Sequence, residues 1–153
     1  MQSHGKTKRT YRTLFDVIDA WECFGECEGV ISFGKEDVQN VSFAQLHRRV
    51  LQVARGLQDR YEDRSHAMLL ANARPEWILV CAAALRGGLV PVPVDVQSSD
   101  ENLRHIVQDS QPQVIFTTSD QRDRLDELEL TGACDMVLLD VDAVQLDRAQ
   151  QRL

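Results

Sequence analysis

The chain has 153 residues, the size of one domain, and its 43% apolar and 27% charged content is ordinary for a globular protein with a buried core. A net charge of −7 argues against a nucleic-acid binder, which gains affinity by neutralising phosphates with clustered cations. No segment approaches the ~18 consecutive apolar residues of a membrane-spanning helix.

Residues 1–11 read as a flexible basic arm, with Lys6, Lys8 and Arg9 followed by Arg12. No apolar run follows these cations, so the arm is not a secretory signal. A first helix is predicted over residues 12–23, where Leu14, Phe15, Ile18 and Trp21 recur at the helical period. A β-hairpin follows, with strands at 30–33 and 40–43 and a turn region at 34–37. Ser42 and Gln45 stand in the capping-box relation at the head of the clearest amphipathic helix. Phe43, Leu46, Val50, Val53, Ala54 and Leu57 line its apolar stripe, and it ends near Arg60.

Beyond that helix, strands and helices alternate. Strands are predicted at 67–71, 89–94, 113–117 and 136–139. Between them lie a helix opened by Pro75 and Glu76 and stopped at Gly87-Gly88, a second opened by a Ser98/Glu101 capping box, and a third over 120–130. Pro91 and Pro93 place the second of these strands near a sheet edge or bulge. Strands this apolar, each followed by a helix, make a parallel sheet buried on both faces. The fold class is therefore α/β: a layered parallel sheet with flanking helices, plus an N-terminal helix and β-hairpin. The α/β unit covers residues 12–141, and residues 142–153 form a polar tail.

The chemical constellations are sparse. A dinucleotide loop needs glycines between a strand and a helix, but Asn72-Ala73-Arg74-Pro75 has none. Gly87-Gly88 lies after a helix, where it serves as a stop. The only lysine outside the N-terminal arm is Lys35. Asp140 closes an apolar run as a receiver phosphoacceptor does, but the supporting acidic pair and lysine are missing. Of the histidines, His47 and His105 are expected on amphipathic helices, exposed or partly so. No serine sits in a nucleophile elbow. Asp123 with Glu127 reads as a helix face and Glu62-Asp63 as a solvated loop. Cys23, Cys27, Cys81 and Cys134 have neither disulfide-framework nor zinc spacing, and fit a reducing cytoplasm. No catalytic, cofactor-binding or metal-ligating residue is assigned.

Five segments in order carry a resemblance. They are Val41-Ser42-Phe43-Ala44-Gln45-Leu46, then Asn72-Ala73-Arg74-Pro75-Glu76-Trp77, then Ala84-Leu85-Arg86-Gly87-Gly88, then Val90-Pro91-Val92-Pro93-Val94-Asp95, and the helix ending Gln108-Asp109-Ser110. Together they resemble the opening of the acyl-adenylate-forming superfamily: acyl-CoA synthetases, fatty-acyl-AMP ligases, peptide-synthetase adenylation domains and luciferases. Residues 93–99 look more like fatty-acid CoA ligases than adenylation domains.

The resemblance implies a partial N-terminal lobe of the adenylate-forming fold, in a protein that uses ATP, magnesium and CoA to turn a fatty acid into an acyl-adenylate and then a thioester. The family's glycine-rich phosphate loop has no counterpart. Thr117-Thr118-Ser119 is followed by Asp120 and Gln121 where glycines would let backbone N–H groups reach phosphate. The segment is thus expected to be inactive alone. Its expected partners are the remainder of the ligase domain or a second copy through exposed apolar surface. The alternative is a non-catalytic α/β binding or self-association module.

Overall fold

The computed structural model describes residues 10–33, 38–132 and 134–141. The basic arm up to residue 9, the hairpin turn at 34–37 and the tail at 142–153 lie outside the described residues.

The N-terminal helix α1 (Leu14–Ala20) is shorter than the periodicity predicts. The amides of Arg12 and Thr13 donate to Asp16 Oδ2 at 2.7 and 2.9 Å, which holds both residues outside the helix. Thr13 and Asp16 thereby form a capping box. At its other end the chain tightens into a 3-10 turn over Trp21–Phe24 and stops at Gly25, whose φ of 53° suits glycine. Cys23 and Cys27 therefore fall on opposite sides of a turn, not on one helix.

Strands β1 (Glu28–Phe33) and β2 (Val38–Ser42) pair antiparallel, with a register shift at Gly29. A Cβ at Gly29 would lie 3.1 Å from both Val41 O and Phe43 N, so only glycine lets the hairpin close against the start of α2. Helix α2 (Phe43–Arg60) begins with the expected box: Gln45 N donates to Ser42 Oγ, and Ser42 N donates to Gln45 Oε1. Its stripe of Leu46, Val50, Ala54 and Leu57 is buried.

The main sheet is parallel, in the order β4-β3-β5-β6, from β3 (His66–Leu70), β4 (Val90–Val94), β5 (Val114–Thr117) and β6 (Asp135–Leu138). Both its faces are covered, as alternation along β3 shows. Ala67 and Leu69 join the core beneath α2 and α3 (Pro75–Arg86), while Met68 and Leu70 join the core beneath α4 (Asp100–Ser110) and α5 (Ser119–Glu127). The proline-bearing strand β4 is an edge strand, as the missing N–H groups of Pro91 and Pro93 require.

Two further helix boundaries differ from the sequence reading. The cap of α4 is Ser99, which accepts from Asn102 N at 3.3 Å, not Ser98. Asp95 draws Ser98 into the preceding turn, because Ser98 N donates to Asp95 O. Helix α5 ends at Glu127 rather than 130, since Glu129 turns to a φ of 57° and Leu130 N folds back onto Leu125 O.

Candidate functional site

Order β4-β3-β5-β6 means that the chain leaves β3 toward one edge and returns past it to β5. Helix α3, after β3, lies on one face, and α5, after β5, lies on the other. Adjacent parallel strands whose connections diverge in this way open a crevice at their carboxyl ends, the usual ligand position in an open α/β sheet.

Two features occupy this end of the sheet. The first is a groove of about 760 Å³ between β1 and the ends of β3 and β4. Val30, Ile31 and Ser32 form one wall. The loop after β3 with the start of α3 (Ala71, Ala73, Arg74, Pro75, Trp77, Ile78) forms the floor, and Pro93, Val94 and Asp95 close the far side. Pro75 at the first helical position sets the helix entry, so Trp77 and Ile78 turn toward the groove. Trp77 is half-buried and packs against the core beneath α3. Arg74 is the groove's one cation, and its Nε lies 2.8 Å from Glu76 Oε2.

The second feature is the amino end of α5, where the hydroxyl-rich Thr117-Thr118-Ser119 meets Asp140. Ser119 N donates to Asp140 Oδ1 and Oδ2 at 3.1 and 3.0 Å. Thr117 Oγ1 donates to Leu70 O at 2.8 Å, and Thr118 Oγ1 donates to Asp120 Oδ1 at 2.6 Å. Donation from the Ser119 backbone is the main cause that holds the Asp140 carboxyl below its usual range, and nearby Arg74 adds a smaller effect. A helix amino end attracts anions. Here the chain's own carboxylate has taken that place. The Ser119 amide is therefore not free to meet a nucleotide phosphate.

Other reactive side chains are held in structural roles. Burial pushes the Cys81 and Cys134 thiols up, away from the thiolate form a nucleophile needs. His47 is buried rather than surface-facing, with Asp19 of α1 beside it. Its Nε2 lies 4.0 Å from Asp19 Oδ1, and Asp19 also accepts from Arg86 Nε at 3.1 Å. His105 is exposed on α4. Among the described residues, no three His, Cys, Asp or Glu side chains gather as metal ligands would. No helix there is long and apolar enough to cross a membrane.

Arg124 is a tether that the sequence reading missed. Its guanidinium donates to Asp100 Oδ1, to Val96 O at 2.9 Å and to Ser98 O at 2.6 Å, fixing the β4–α4 turn to α5. The groove was also missed as a site. Its three walls are far apart in sequence, and no local motif marks them.

The chain resembles known proteins throughout this region. A family model described as AMP-binding enzyme matches residues 22–152. A Mycobacterium leprae (strain TN) protein named as a fatty-acid–CoA ligase, fadD21, is 31% identical over 114 residues, 71% of this chain and 20% of that protein. The long-chain-fatty-acid–AMP ligase FadD23 of Mycobacterium tuberculosis (strain CDC 1551 / Oshkosh) is 31% identical over 84 residues, 53% of this chain and 14% of its own. Among solved structures, the fatty acid AMP ligase from Legionella pneumophila superimposes with a TM-score of 0.71 at 17% identity, covering 93% of this chain and 25% of that one. The chain thus spans about a fifth of the length of the M. leprae relative. With most of its residues inside the family match, the chain belongs to the AMP-binding enzyme family, as a segment of that family's fold.

Proposed function

We propose that this segment serves an acid–thiol ligase, in which a carboxylic acid, with a fatty acid as the first candidate, is joined to AMP from ATP and then passed to a thiol such as CoA. The family match over residues 22–152 carries this reading. Magnesium, the usual partner of nucleotide triphosphates, belongs to the same proposal. The segment's own part is scaffolding: a four-stranded sheet, its two helical layers, and a groove at the carboxyl edge. Phosphate binding falls to residues outside those described, since Asp140 fills the amino end of α5.

Pyrophosphate exchange tests the proposal. The 153-residue chain with ATP, magnesium and a long-chain fatty acid is expected to give no exchange above buffer. The same chain grafted into the M. leprae relative, in place of the matching segment, is expected to support it. Exchange by the chain alone would contradict the scaffold reading, and a folded but inactive graft would contradict the ligase reading.

A further inference from the structure

Polar atoms shielded from water are nearly always hydrogen-bonded in a folded chain. His47 Nε2 departs from that rule: it is buried and has no hydrogen-bond partner among the described residues. Asp19 Oδ1 of α1 stands 4.0 Å away, outside hydrogen-bond range but within reach of a small shift. The same oxygen accepts from Arg86 Nε of α3 at 3.1 Å. One carboxylate oxygen thus lies between a permanent cation on α3 and a side chain on α2 that gains charge only by taking up a proton. Other charged groups close by in the chain, Glu22 of the 3-10 turn and Arg48 of α2 itself, are exposed to water.

The helix that carries Asp19 is weakly secured. Helix α1 has seven residues, fewer than a helix needs to sustain itself in water. Ile18 and Ala20 are buried, whereas Leu14, Phe15 and Val17 are exposed. The pair between Arg86 and Asp19 adds little, because its side chains are 38% and 51% exposed and water screens them. The His47 side chain is only 11% exposed, so a charge placed there is screened less.

We propose that His47, Asp19 and Arg86 form a proton-operated clasp on α1. A proton taken from solvent makes the orphaned Nε2 of His47 a charged donor to Asp19, which fastens α1 to α2. Loss of that proton leaves Asp19 to Arg86 alone, and α1 loosens. Imidazole is the side chain that ordinarily changes charge between pH 5 and 8, while carboxylate and guanidinium groups ordinarily keep theirs across that window. The clasp is closed at its acid end and open at its alkaline end. The main sheet takes no part, and the inference does not depend on the ligase reading.

Native-state hydrogen exchange of the 153-residue chain at pH 5.5 and 8.0 tests this, with protection corrected for the intrinsic effect of pH on exchange. Protection of the α1 amides is expected to be several-fold higher at pH 5.5, with the β3 amides unchanged. In His47→Gln the α1 difference is expected to vanish. Equal protection at both pH values in the wild type, or a difference that survives in His47→Gln, would overturn the proposal. So would a parallel change in β3, which would mark a general effect of pH on the fold.

Two further variants keep the test open if His47→Gln fails to fold. Asp19→Asn, at a half-exposed side chain, removes the acceptor's charge and is expected to abolish the α1 difference. A difference that persists there would overturn the pairing. Arg86→Gln frees Asp19 for His47 and is expected to enlarge the difference. Its disappearance with Arg86 would show that Asp19 answers to α3 alone, and would equally overturn the proposal.

Discussion

Tyr61 shows at the residue scale how one hydrogen bond sets a pH dependence. Its hydroxyl donates to Asp135 Oδ2 at 2.8 Å, while Arg60 Nε reaches the same oxygen at 3.0 Å, so the end of α2 is tied to the start of β6. Burial first, then the bond to Asp135, raises the Tyr61 phenol from its ordinary value of 10.0 to about 12. A folded-state value above the unfolded one means that the folded chain holds the proton more tightly. The resulting stability is complete below pH ~10 and drains away as pH rises toward the folded value. Asp135 shifts the opposite way, lowered chiefly by Tyr61, so its contribution is present above the ordinary aspartate range and fades as pH falls into and below it. Denaturant melts of wild type and Tyr61→Phe should therefore differ at neutral pH and converge toward pH 12. A constant difference across that window would show that the bond is not made. Arg124 is the other residue with a large local effect. Arg124→Ala leaves the Val96 and Ser98 carbonyls without their donor, and a loss of roughly 1–3 kcal/mol is expected by the same melts.

The glycines of α2 and α3 make a prediction at the element scale. A Cβ at Gly87 would stand 3.0 Å from Ala83 O and 3.1 Å from Ala54 O, both backbone atoms that cannot swing aside. Gly87→Ala should cost roughly 1–3 kcal/mol by forcing α3 away from α2. Gly56, four residues before the end of α2, has nothing within 4 Å of a built Cβ, so Gly56→Ala should stabilise by about 0.5–1 kcal/mol. Thermal melts of the two variants should move in opposite directions. The same contrast separates what was legible in the sequence from what was not. Local chemistry marked the Ser42/Gln45 cap, Pro75 at a helix start and the prolines of an edge strand, because each depends on residues only a few positions away. The shift of the α4 cap from Ser98 to Ser99 escaped that reading, since Asp95 already engages the Ser98 amide. Burial of His47 escaped it too, because α1 supplies the cover from a distant part of the chain. Strand order and the groove depend on contacts between distant segments, which periodicity does not encode.

At the scale of the whole molecule, the segment presents a parallel four-stranded sheet with a helical layer on each face. Asp140 on the Ser119 amide satisfies the amino end of α5 from within, whereas glycines there would have left that backbone open to a phosphate. The fold of an AMP-binding enzyme is present in part, and we propose that the nucleotide binds outside the described residues. Isothermal titration of the 153-residue chain with ATP and magnesium measures this directly. The account predicts dilution heats alone, and a saturable binding isotherm would contradict it.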